Sequence, residues 1–205
     1  MRLTQDQIRK YKVELSRWYS PSEMIDCADT LMDKLGVTDL FSQPGIEFVR
    51  EAWIAGHFGK QRRAKFVRWI AEERPDFSLQ FSDGSTENYE LVEADAPDRR
   101  RGNEYKHAAS GGHPLRNASI VQWATPQMTL KIIQAAVNRK TTRAEKLQRQ
   151  GIPYPSETRL LIYLNIGDSE VHQREIENIF SQAVEPARRW FSSIWIFWQM
   201  RIYEV

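Results

Sequence analysis

The chain is short of cysteine, since Cys27 stands alone among 205 residues. A single thiol excludes an internal disulfide framework and a zinc site built on cysteines. It also fits a reducing compartment, so a cytoplasmic protein is expected. Long apolar runs are missing too. No stretch reaches the roughly 18 apolar residues that a membrane-spanning helix needs. The opening MRLTQDQIRKYKVE carries no apolar run of the signal-peptide kind. Charge of one sign is not in excess: the formal net charge is +2. Any affinity for a polyanion must therefore rest on local patches.

Several chemical signatures are also absent. No GxSxG, P-loop or GxGxxG element occurs, which leaves serine hydrolase, NTPase and dinucleotide-binding readings without support. The four histidines, His57, His107, His113 and His172, show no HExxH or related ligand spacing. There is no internal repeat, and the only biased stretch is the Arg- and Gly-rich segment after Asp98.

What is present suits a folded domain. Hydrophobic residues make up 41% of the chain, including seven Trp, seven Tyr and nine Phe, enough to bury a core. Thr4 with Gln7 reads as a capping box opening a helix over about residues 4–19, with Ile8, Tyr11, Leu15 and Trp18 at helical spacing. Ser20-Pro21 opens a second helix that Gly36 stops, and a third runs from Ile46 to Gly59. KFVRWIAEE fits either a strand or a helix, with the strand preferred. DFSLQFS alternates with Phe77, Leu79 and Phe81 on one side, and NYELVEAD returns after Asp83-Gly84-Ser85-Thr86. Residues 98–115 read as a long loop. A helix then spans Pro126 to Gln150, RLLIYLNIG forms a strand, Val171 to Arg189 is helical with Pro186 interrupting or ending it, and SSIWIFWQMRIYEV closes as one or two strands. The expected class is α/β, a mixed central sheet flanked by helices. An N-terminal helical extension over 1–43 precedes a core over 44–205.

The hairpin from Arg74 to Asp95 holds the chemically suggestive residues. Alternation points Glu93 and Asp95 to one face. A turn of even length would add Asp76 to that face, whereas a bulged turn of odd length would not. Glu90 alternates away from Glu93. Three converging carboxylates repel unless a cation lies between them, and an oxygen-only cluster suits Mg²⁺ or Mn²⁺. The competing reading is a solvated strand face with scattered acids.

Here the sequence resembles the PD-(D/E)xK nuclease superfamily, the restriction-endonuclease-like fold. Pro75-Asp76 matches the PD element, and Glu93-Ala94-Asp95 stands at the (D/E)xK element. The order helix, three strands, helix, strand from Ile46 to Ile166 resembles the common core of that fold. The resemblance implies a metal-dependent DNA endonuclease, or a nuclease-like protein, with Asp76, Glu93 and Asp95 as metal ligands. The family's lysine would fall at position 95, where this chain has Asp. A lysine from the following helix would replace it, with Lys131 preferred to Lys140. Glu47 and Glu51 are candidates for an additional helix acid. Without a lysine the chain would be a catalytically inactive member that binds nucleic acid or serves in an assembly.

Basic residues collect in three places. Arg99, Arg100, Arg101 and Lys106 follow the acidic strand, Arg62, Arg63, Lys65 and Arg68 precede the hairpin, and the helix over 126–150 carries six basic residues against Glu145 alone. Such segregation in a nearly neutral chain favours a polyanion, with DNA the expected partner and no membrane. The Trp195–Trp198 run would leave one aromatic face for a helix or for a partner subunit, as in a homodimer.

Overall fold

The computed structural model describes residues 2–72, 74–95, 125–152, 157–166 and 173–205. They form an α/β protein with a mixed six-stranded open sheet, strand order β1-β2-β3-β4-β5-β6. The strands are β1 (Phe66–Trp69), β2 (Phe77–Gln80), β3 (Thr86–Ala94), β4 (Arg159–Leu164), β5 (Ile194–Trp198) and β6 (Arg201–Glu204). Packing divides the chain into two compact units, with a change at Asn88/Tyr89. Among the described residues no helix is long and apolar enough to cross a membrane.

The N-terminal unit begins with three helices, α1 (Gln5–Leu15), α2 (Pro21–Ser42) and α3 (Glu47–Gln61). The first two open on complete capping boxes, Thr4 with Gln7 and Ser20 with Glu23, so backbone N–H groups at each start are satisfied by side chains. Gly36 does leave helical geometry, at φ 70° and ψ 159°, but the chain resumes its helix and continues to Ser42. A glycine with positive φ therefore kinks this helix instead of ending it. α3 turns Phe48, Val49, Ala52, Ala55 and Phe58 inward. Gly56 lets α3 come close to α2: a Cβ there would lie 2.8 Å from Ile25 Cγ1. β1 and β2 pair antiparallel, with Val67 opposite Leu79 and Trp69 opposite Phe77. Tyr19 bridges Val67 through two backbone hydrogen bonds and so covers the outer edge of β1.

The C-terminal unit is built on β3, β4 and β5, which run parallel. α4 (Pro126–Arg149) lies in the chain between the first pair and α5 (Gln173–Val184) between the second. Pro186 ends the second helix in a short 3-10 turn, Glu185–Ala187. All five residues of β5 are buried, the pattern of a strand covered on both faces. Val92 and Ala94 join Ile132, Ile133, Ala136, Val137, Ile162, Phe180 and Trp198 in one core. Gln199 and Met200, at φ 49° and 60°, make the two-residue turn into β6. The final segment is thus two strands. The aromatic run from Trp195 to Trp198 is covered within this chain, with Phe180 edge-on to Trp198.

Candidate functional site on β3 and α4

The turn between β2 and β3 decides which acids share a face. Gly84 donates its N–H to Phe81 O at 3.1 Å, and Phe81 N–H donates to Ser85 O at 2.9 Å. The loop therefore has three residues, Ser82-Asp83-Gly84, with Gly84 at φ 85°. This is a type I turn followed by a left-handed glycine bulge. Asp83 Oδ1 accepts from the Ser85 N–H and hydroxyl, which fixes the turn and holds the Asp83 carboxyl below its ordinary range. Residues of like parity then pair, as the 2.6 Å bond from Ser78 Oγ to Asn88 Oδ1 shows. The even turn that would give Asp76, Glu93 and Asp95 a common face is not formed.

Along β3 itself, alternation separates Glu90, Val92 and Ala94 from Leu91 and Glu93. The first set faces α4. Glu90 is only 1% exposed, and its Oε2 accepts a 2.7 Å hydrogen bond from Lys140 Nζ. The Lys140 side chain is itself 11% exposed. Glu90 Oε1 is buried and has no hydrogen-bond partner. A fully desolvated ion pair costs several kcal/mol per ion to bury, about what its attraction returns, so such a pair adds little net stability. The arrangement holds one carboxylate and one ammonium at fixed positions in a low-dielectric setting. It can polarise or hydrogen-bond a group brought to Oε1, and the ammonium can neutralise an added negative charge.

The other expected residues fall elsewhere. Glu93 and Asp95 are half-buried, and the Glu93 backbone carbonyl accepts from Arg139 Nη2 at 2.7 Å. Asp76, in the N-terminal unit, is half-buried just before β2, and its carbonyl accepts from the Ile70 N–H at 3.0 Å. Lys131 is exposed, so the preference for it over Lys140 is reversed: Lys140 is the inward lysine. Asn138 shares that exposed stripe. Arg99, Arg100, Arg101 and Lys106 lie outside the described residues. Among the described residues no group of three or more His, Cys, Asp and Glu is arranged to hold a metal ion.

Within the N-terminal unit, Glu51 accepts a 2.8 Å hydrogen bond from Trp69 Nε1 and so anchors an indole, while Glu47 is exposed. Burial pulls His57 below its ordinary value; Asp29 opposes that shift and Lys60 adds to it. Its imidazole lies 4.2 Å from the Trp53 ring, tilted by 56° to it. Burial likewise pushes the Cys27 thiol up, which makes it a poor nucleophile at neutral pH. Glu90 was legible as a buried position through alternation with Val92. Its partner 50 residues along the chain had no local signal. Comparison with protein-family models, with curated proteins and with solved structures finds no match for this chain.

Proposed function

We propose that this protein acts on DNA as a metal-dependent nuclease of restriction-endonuclease-like topology, with Glu90 as its strand acid and Lys140 as its lysine. The observation that carries the reading is the buried Glu90–Lys140 pair with one carboxylate oxygen left without a hydrogen bond. Charged groups held out of water at a cost concentrate at working sites. The element order α3, β1–β3, α4, β4 supports the same reading, because it follows the core that the Pro75-Asp76 resemblance implies. The lysine then comes from the helix after the strands, and Val92 stands where the strand lysine would be.

The fit to a divalent cation is incomplete. Glu90 Oε1 is an oxygen donor of the right kind for Mg²⁺ or Mn²⁺. The described residues contain no group of three ligands around it. When bound, such a cation would activate water and neutralise phosphate charge. The chain's own contribution is the Lys140 ammonium, placed by Glu90, which meets a phosphate as a point charge.

A second reading is an inactive nuclease-fold protein that binds nucleic acid. It is favoured by the engagement of Lys140 with Glu90. Incubation of the protein with plasmid and linear DNA, in Mn²⁺ or Mg²⁺ against EDTA, separates the two. The nuclease reading expects cleavage that depends on metal and falls by ~100-fold or more in Glu90→Gln and Lys140→Met. Circular dichroism confirms that those variants remain folded. Salt-sensitive DNA binding without cleavage by the unsubstituted protein would establish the second reading. Absence of both binding and cleavage overturns both.

A further inference from the structure

We infer that a cleft in the N-terminal unit binds a phosphate group, and that its physiological source is the backbone of a nucleic-acid strand. The cleft has a volume of about 350 Å³ and is lined by Ser16, Arg68, Trp69, Glu72, Arg74 and Asn88, among others. Arg68 and Arg74 line it together with one acidic residue, Glu72. The space takes a phosphate with its flanking sugars.

Arg68 belongs to the basic run that precedes the hairpin, and the structure separates it from its neighbours in that run. Arg62 is consumed by Glu87 at 3.0 Å, and Lys65 lies over Phe66. Arg68 sits on β1 opposite Ser78, on the side away from the buried Val67 and Trp69. Its guanidinium lies 4.8 Å over the Trp18 ring, and its Nε is buried with no hydrogen-bond partner. Among the described residues it makes no ion pair. A guanidinium held flat on an indole keeps its edge free to donate, and that fork matches phosphate oxygens.

Two further features select the ligand. Asn88 Oδ1 accepts from Ser78, so the NH₂ end of that amide is the end that donates. The source is argued from Trp18, which is 37% exposed beside the cleft and carries the Arg68 guanidinium on one side of its ring. An exposed indole beside a cationic phosphate donor is the pairing that grips a strand, base on ring and backbone on guanidinium. A free inorganic anion has no use for the ring. This cleft does not depend on the Glu90–Lys140 reading, because it can bind a strand whether or not the strand is cut.

The test is fluorescence anisotropy of a labelled single-stranded oligonucleotide in EDTA, where metal-dependent cleavage does not interfere. Arg68→Ala is expected to weaken binding ~10-fold and to lower the slope of log affinity against log salt by about 1. Arg68→Lys should restore the slope and only part of the affinity. Arg9→Ala, an exposed arginine on α1, should change neither. Arg74→Ala carries the same test if Arg68→Ala does not fold. Unchanged affinity and slope in Arg68→Ala and Arg74→Ala overturn the inference. Displacement of the strand by low-millimolar inorganic phosphate overturns the assignment of a nucleic-acid source.

Discussion

The two units of the molecule treat charge in opposite ways. The C-terminal unit takes a complete ion pair out of water, Glu90 with Lys140, beneath the helix α4. The N-terminal unit lays several of its cations on rings: Arg68 over Trp18, Arg50 over Phe41 and Lys12 over Phe48. A carboxylate and an ammonium in a dry interior hold each other in place, and neither can be removed without stranding the other. A guanidinium on an aromatic face loses little hydration, keeps its donors, and stays usable by a ligand. In this molecule the first solution fixes two side chains against each other, and the second leaves guanidinium and ammonium groups against ring faces.

The sharpest way to break this contrast is Lys140→Ala. It leaves the Glu90 carboxylate buried without its counter-charge, so urea denaturation should show a loss of about 3–5 kcal/mol. The double variant Glu90→Leu with Lys140→Met should recover most of that loss, since an apolar pair of similar volume needs no compensation. A loss below ~1 kcal/mol for Lys140→Ala is the surface-pair result, and it would erase the difference between the units.

Much of the fold can be read from residue order, because the signals are local. Both capping boxes, the strand alternation in DFSLQFS and the apolar runs of β4 and β5 act within a few residues. The candidate site was less legible, and one loop explains why. Ser82-Asp83-Gly84 carries the marks of a three-residue turn, an Asp followed by a glycine in left-handed geometry. An even turn takes Asp76 to the face of Glu93 and Asp95; this odd one reverses the parity. That Lys140 rather than Lys131 turns inward depends on how α4 rolls against β3, and that is settled by Ile132, Ile133, Ala136 and Val137 entering the core. Gly36 misled for a different reason: a positive-φ glycine commonly closes a helix, yet here the chain re-enters it.

A middle-sized effect tests whether the N-terminal unit is held by close apolar packing, as the contrast requires. Gly56→Ala puts a methyl group 2.8 Å from Ile25 Cγ1 and 3.2 Å from the backbone of Ile25 and Pro21. Backbone cannot step aside cheaply, so the variant should lose about 1–3 kcal/mol in thermal or urea unfolding. Gly59→Ala meets Leu79 Cδ2 at 3.1 Å, the end of a flexible side chain, and should cost less. Equal losses at the two positions would mean that α2 yields as readily as a leucine methyl.

The smallest effect lies at the start of α2, where the N-terminal unit uses a charge in water. Ser20 Oγ accepts from the Glu23 N–H, and Glu23 Oε2 accepts from the Ser20 N–H at 2.8 Å. Ser20→Ala removes the cap and should cost about 1 kcal/mol. The hydrogen bonds from Ser20 hold the Glu23 carboxyl below its ordinary value. A lowered folded-state pKa means that the ionised form is the one the fold favours. Its contribution is therefore present above the unfolded value, near ~4.3, and is lost as pH falls through the lower folded value. Melting temperatures of the parent and Glu23→Gln should differ at neutral pH and converge below that range. Curves that stay parallel down to the acid end would place the box's contribution in the hydrogen bonds alone, with none from the charge. The exposed cap would then resemble the uncharged contacts of its own unit more than the buried pair on β3.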